Sequence, residues 1–454
     1  MCGSTAATNL QQVMEAGPAG GVERVVAITD LMEVARHVAR SDEVRRTAAG
    51  FIGYGATQPG QRVLIGVDTQ TDPAITDSIA AALREMGASV DVVIAQAEAD
   101  REFGDLDEIK VAIRRQPWVE NPRRWEGTPW VEDLARTNGY DLLIHGKGGA
   151  IPKVSHRYEG FPWVVQDHFD GPSNLFPRPL HRLINERTWS RITDNAGSRI
   201  RLSDPEGTNL SLTILPEPLQ DTTRHDYGMS PKWGHLMAHP PTPIEPHDAS
   251  TGVIAGTLNH FSRPFPRIEV DVENARLTGI RGGGAYGDAW RDLESEAAAI
   301  QYPCFPAPGL FWLWELAIGT NPKIVRPQNI RYLSSGGFEW ERRRAGVIHC
   351  GLGTRWRSTE EVWAGERRLV YGHLHVHLLA ATLIVETPRG DVPVIEAGRL
   401  SAYDDPDVRD LAAQFGDPDQ LLHDDWVPEI PGVTVPGDYA EYAKEPSRWV
   451  YGHG

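Results

Sequence analysis

Residues 62–94 read as strand, helix, strand, and this run constrains the fold more than any other part of the chain. Arg62-Val-Leu-Ile-Gly-Val-Asp68 is a short continuous apolar run, the pattern of a strand buried on both faces of a parallel sheet. Thr71-Asp72-Pro73 supplies a polar cap and a proline at the first helical position. The spacing predicts a helix to about Met86, ended by Gly87, and then a second strand over Ser89-Val-Asp-Val-Val-Ile94. A strand–helix–strand unit of this length predicts an open α/β domain. Tyr140-Asp-Leu-Leu-Ile-His145 reads as a further buried strand, followed by the flexible turn Gly146-Lys-Gly-Gly149. Ligands meet strand ends at such places. The spacing matches neither common phosphate loop, so no nucleotide site is expected.

Ahead of this unit, Val26, Ile28, Leu31, Val34, Ala35 and Val38 recur at three and four, predicting a helix within residues 23–50. Residues 98–135 are charged and rich in Trp and Pro. Residues 151–200 read as an irregular aromatic insertion, a lid or an interface arm. After about residue 200 the pattern turns β-rich. Asn209–Ile214 alternates, Gly252–Leu258 and Arg267–Val272 read as paired strands, and Leu277–Ile280 closes a hairpin. Gly282-Gly283-Gly284 leads into a helix over about Ala285–Ala299. Val347–His349 and Leu374–Val385 are strands again. The expected fold class is α/β: an N-terminal open α/β domain over 1–200, with an insertion at about 98–200, then a β-rich α+β metal-binding domain over 201–454.

Composition narrows the partners. The formal net charge of −17 disfavours nucleic acids and anionic membranes. No run reaches the roughly 18–20 apolar residues of a membrane span, and the N-terminus lacks the basic-then-apolar pattern of a secretory signal. The three cysteines, Cys2, Cys304 and Cys350, are far apart. They suit a reducing cytoplasm and argue against a disulfide or zinc-ribbon scaffold. Cys350 reads as a buried structural thiol. The 14 tryptophans supply flat aromatic surfaces for a homo-oligomer interface or a ring-shaped substrate.

The chemistry concentrates in Tyr371-Gly-His373-Leu-His375-Val-His377. Residues two apart on a strand share a face, so three imidazoles line one side. Neighbours stand roughly 6.5–7 Å apart and the outer pair roughly 13 Å apart. At most two can therefore share one ion, and other ligands must come from elsewhere. The competing reading is a histidine-rich polar strand face. His349, in a short strand upstream, precedes Gly351-Leu-Gly353, which permits close backbone approach to a ligand. Glu315 stands inside the apolar run Leu310-Phe-Trp-Leu-Trp-Glu315-Leu-Ala-Ile-Gly319. An acid there must be ion-paired, protonated or metal-bound, and the plain alternative is a bridge to Arg326 or Arg343. His235 and His239 are four apart, but Pro240-Pro241 argues against a helix carrying both, which leaves His239 as the better candidate. Tyr286, His260, Tyr371 and Asp248 are further acid, base or anchoring candidates. HExxH and GxSxG are both absent.

Several ordered segments carry a family resemblance: Arg62–Pro73, Val270–Gly283, Glu315-Leu-Ala-Ile-Gly-Thr-Asn-Pro322 and Ala345-Gly-Val-Ile-His349-Cys-Gly-Leu-Gly353. Over roughly 23–96 and 207–420 the chain resembles the superfamily shared by metallo-aminopeptidases of the aminopeptidase T type and iron-dependent 2,5-dihydroxypyridine dioxygenases. The resemblance implies a mixed α/β N-terminal domain and a β-rich metal domain. It implies Glu315 as a metal-side carboxylate, His349 as a ligand, and His373 and His375 at the positions of a family His-x-Asp pair, placed by Thr382. A family carboxylate further upstream falls near Ala238-His239. Two family carboxylates are thus imidazoles here, which counts against a two-metal peptidase site, since that needs anionic ligands.

The expectation is a mononuclear metal site of His349, His373 and His375, with Glu315, His239 and Tyr371 as catalytic groups. The metal is expected to be Fe(II), with Zn or Mn as alternatives. The expected function is O2-dependent ring cleavage of a small aromatic or N-heterocyclic compound, with Trp163, His168 and Trp189 of the insertion covering the ring. The runner-up is a metal-dependent hydrolase, and the third reading is a non-catalytic metal- or ligand-binding protein.

Overall fold

The computed structural model describes residues 28–40, 57–69, 71–95, 129–146, 158–161, 166–213, 229–230, 235–237, 250–259, 263–303, 305–326, 343–354 and 359–450. The fold mixes helices with three sheets. The expected strand–helix–strand unit is present. β1 (Arg62–Asp68) pairs in parallel with β2 (Ser89–Ala95), Arg62 opposite Ser89 and Asp68 opposite Ala95. The helix Pro73–Glu85 joins them, its start capped by the Asp72 carboxylate accepting from the Ala74 N–H at 2.8 Å. Gly87, at φ +90°, ends the helical path. β3 (Leu142–Gly146) and β4 (Tyr158–Phe161) complete a four-stranded parallel sheet in the order β2-β1-β3-β4. The helix Ile28–Ala39 buries Leu31, Val34, Ala35 and Val38 against its neighbours.

Two further sheets follow. The larger has eight strands: β5 (Arg199–Ser203), β6 (Asn209–Thr213), β9 (Thr251–Leu258), β10 (Pro264–Glu273), β11 (Arg276–Gly282), β15 (Thr382–Thr387), β16 (Gly390–Glu396) and β17 (Arg399–Leu400), in the order β11-β10-β9-β6-β5-β15-β16-β17. The expected β10–β11 hairpin turns at Asn274 and Ala275, both at positive φ, the geometry of a tight two-residue turn. The smaller sheet has five strands: β7 (Met229–Ser230), β8 (His235–Met237), β12 (Leu313–Gly319), β13 (Ile348–Gly353) and β14 (His373–Leu378), in the order β14-β13-β12-β8-β7. The two sheets meet where β9 and β14 pack against each other. A β-carbon on Gly256 of β9 would stand 2.7 Å from Cγ1 of Val376 on β14, so the glycine is what lets the strands approach.

One reading is corrected. Residues 178–193, expected within an irregular insertion, form a 16-residue helix, Arg178–Thr193. Its buried stripe is Leu180, His181, Ile184, Asn185, Thr188 and Ile192. Three of those six are polar, so the spacing is helical while the hydrophobic pattern is broken. Two of the polar members, His181 and Asn185, meet at the Thr320 hydroxyl just after β12. His181 Nε2 lies 3.1 Å from the Thr320 hydroxyl, which donates to Asn185 Oδ1 at 2.6 Å.

Candidate metal centre

Registry brings the candidate residues together. β12 and β13 are central strands and every residue in them is buried. Opposite residues of an antiparallel pair share a face. His349 stands opposite Ala317 on one side and His377 on the other; Gly351 stands opposite Glu315 and His375. Two adjacent rows on one face are thus Ala317–His349–His377 and Glu315–Gly351–His375. An irregularity between Leu313 and Glu315 sorts the two sides. Leu313 stays with Leu352 on one face, and Glu315 stands with Gly351 on the other. The opposite face, with Leu316, Cys350 and Val376, belongs to the apolar core.

The side chains converge. Oε2 of Glu315 lies 3.3 Å from Nε2 of His349 and 4.0 Å from Nε2 of His375. The His349 and His375 rings are 4.2 Å apart between centroids, and each residue is at most 5% exposed, as is Glu315. One ligand atom from each of the three lies within 4.8 Å of the others. Ligand atoms bound at about 2.1 Å to one ion stand roughly 3–3.5 Å apart, so the set needs only a small contraction to close on a cation. The donors suit it: two imidazoles and one carboxylate are ordinary ligands for a divalent transition metal, and a carboxylate buried in this core needs cationic partners. Glu315, His349 and His375 form a group able to hold a metal ion.

Gly351 makes the room. A β-carbon there would meet Oε2 of Glu315 at 2.7 Å and its Cβ at 2.9 Å. His377 lies on the far side of His349: its Nε2 is 2.9 Å from His349 Nδ1, with the rings 5.0 Å apart between centroids. Tyr286, on the helix Gly284–Ala297, is fully buried and its hydroxyl donates to the His375 carbonyl at 3.1 Å, fixing the strand rather than entering the group. Cys350 points away from this face as a buried thiol, pushed well up by burial, then by Asp204 and Glu315.

The other sequence candidates fall as follows. His373 stands opposite Gly353, one row beyond His375; its side chain lies outside the described residues, as does that of His235, which sits on strand β8 rather than on a helix. His239, Asp248, His260 and Trp163 lie outside the described residues. His168 is on a short helix, Gln166–Phe169, with its side chain outside the description. Trp189 packs half-buried against the main core. Tyr371 is fully buried just ahead of β14.

Sequence reasoning missed a buried acidic pair. Asp204 and Glu206 sit in the turn from β5 to β6, 5% and 2% exposed. Asp204 accepts from the backbone N–H of Glu206 at 2.9 Å and of Ala380, just after β14, at 3.0 Å. Glu206 accepts from the Thr257 hydroxyl at 2.8 Å and the Tyr439 hydroxyl at 3.3 Å. Burial, and next the Asp204 charge, push the Glu206 carboxyl up to about 8.

No family model matches the chain, and no curated protein matches it. Among solved structures, the chain is similar to 2,5-dihydroxypyridine dioxygenase from Pseudomonas putida, with 14% identity and a TM-score of 0.49 over 83% of this chain and 99% of that one. It is also similar to AmpT from Thermus thermophilus, with 12% identity and a TM-score of 0.45 over 82% and 99%. No helix among the described residues is long and apolar enough to cross a membrane.

Proposed function

We propose that this chain is a mononuclear metal-dependent enzyme whose ion is held by Glu315, His349 and His375, and that it cleaves a ring of a small aromatic or N-heterocyclic compound with O2. The observation that carries the reading is the placement of two imidazoles and one carboxylate on one face of a buried sheet. Such a two-histidine, one-carboxylate set with open positions is the donor pattern of non-haem Fe(II) oxygenases. A bound Fe(II) would supply the redox chemistry that joins O2 to the ring. The chain's own residues supply the rest. Glu315 offsets part of the cation's charge, the two imidazoles add none, and burial of all three holds the chemistry away from bulk water. Tyr371 and His239 are proposed as the groups that move protons, and His373 as an additional ligand from the next row of β14.

The test is anaerobic reconstitution with Fe(II), followed by oxygen uptake against a panel of hydroxypyridines and aminophenols. Uptake that depends on both iron and substrate supports the reading. Turnover of an amide or an amino-substituted ring with zinc and without oxygen would replace it with a hydrolase, since two histidines and a glutamate also suit catalytic zinc with a water in the fourth position. Tight metal binding with no turnover of either kind would leave a binding protein.

A further inference from the structure

Of the β14 histidines whose side chains are described, His377 is the one that the ligand group does not use, and its ring meets His349 rather than Glu315. We propose that His377 is a positioning residue: its Nε2 accepts a hydrogen bond from the Nδ1–H of His349 and so holds the lone pair of His349 Nε2 toward Glu315. The inference deepens the metal-site reading above and rests on it.

The argument is one of atom counting. A neutral imidazole carries one N–H and one lone pair. His349 presents Nε2 to Glu315 Oε2 at 3.3 Å and Nδ1 to His377 Nε2 at 2.9 Å. For Nε2 to face a cation with its lone pair, the proton must stand on Nδ1. The lone pair at His377 Nε2, 2.9 Å away, receives it, which places the His377 proton on its own Nδ1. Both rings are fully buried, so no bulk water competes for the bond. Registry holds the partners in place, since His349 and His377 are directly opposite on paired strands. A metal-bound histidine ordinarily gives its second N–H to a carboxylate, a carbonyl or a water. A neutral imidazole in that role fixes the ring without adding charge, so Glu315 remains the only anion among these four side chains.

Nitrogen-15 NMR of histidine-labelled, Zn(II)-loaded protein, assigned with His349→Gln and His377→Gln, reads the tautomers directly and needs no substrate. The expected result is the Nδ1–H form for both rings. A parallel titration with Co(II) uses two variants. His377→Leu removes the acceptor, and affinity should fall roughly 10- to 100-fold. His377→Gln, whose amide oxygen can reach the place of the imidazole Nε2, should recover most of that loss. An Nε2–H tautomer at His349 overturns the proposal, and so does equal affinity in the two variants. If His377→Leu does not fold, the wild-type spectrum still decides. Wild-type protein that binds neither Zn(II) nor Co(II) overturns the metal reading, whereas metal-loaded protein without the His349 Nδ1–H overturns the pair alone.

Discussion

A β-carbon on Gly351 would stand 2.7 Å from Oε2 of Glu315. The carboxylate occupies the space that a side chain on the neighbouring strand would take, with His375 on the other side of the same row. Gly351→Ala should therefore push Glu315 out of line with His349 and His375. The expected outcome is a loss of at least about tenfold in metal affinity, by analogy with the disturbance of ligand-orienting groups, and a stability cost of roughly 1–3 kcal/mol from overpacking. Calorimetric titration with Co(II) and a thermal melt check both. Unchanged affinity would show that Glu315 is not held by this contact.

Glu315→Gln keeps the shape and removes the charge. The buried amide cannot neutralise a dication, so metal content of the purified protein should fall by one to two orders of magnitude, roughly the scale of lost site interactions. Elemental analysis beside wild type is the measurement.

Much of this arrangement was legible from sequence, for physical reasons that can be named. Strand β1, the capped helix Pro73–Glu85 and strand β2 announced themselves through local signals: an apolar run, Asp72-Pro73 and Gly87. Alternation placed His373, His375 and His377 on one strand, and the roughly 13 Å span of the outer pair ruled out all three on one ion. Registry was not legible. It decides that Gly351 lines up with both Glu315 and His375, and it depends on an irregularity beside Trp314 that no local pattern marks. The helix Arg178–Thr193 escaped because His181, Asn185 and Thr188 occupy its buried stripe. The Asp204–Glu206 pair escaped because Asp204-Pro-Glu206-Gly207 reads as an ordinary polar turn. Its burial comes from distant segments, Ala380 and Tyr439 among them.

Glu206 should leave a signature in the pH dependence of stability. Its carboxyl is raised to about 8 by burial and then by Asp204, from 4.5 in an open chain. The native state keeps a proton that the unfolded chain releases, so this contribution is fully present below about pH 4.5 and is lost as pH rises toward 8. Glu206→Gln should flatten that decline and gain on wild type above neutrality. Denaturant melts from pH 4 to 9 provide the check, and parallel curves for the two proteins would refute the assignment.

His181 should act in the opposite sense. Burial lowers its imidazole to about 3, from 6.5. The native ring stays neutral while the unfolded one takes a proton, so its contribution is present above about pH 6.5 and is lost as pH falls toward 3. His181→Gln should weaken the acid-side loss of stability, although it also disturbs the contact with Thr320. The acid limb of the same melts reads this out, and an unchanged slope between pH 6.5 and 4 would count against it.

The most direct test of the central claim is the metal stoichiometry of wild-type protein beside His349→Ala and His375→Ala, after anaerobic incubation with Fe(II) and desalting. The account predicts about one iron per wild-type chain, on the single three-ligand group of the described residues, and far less in both variants while each remains folded. Equal iron in all three proteins would contradict it and move the metal away from this sheet.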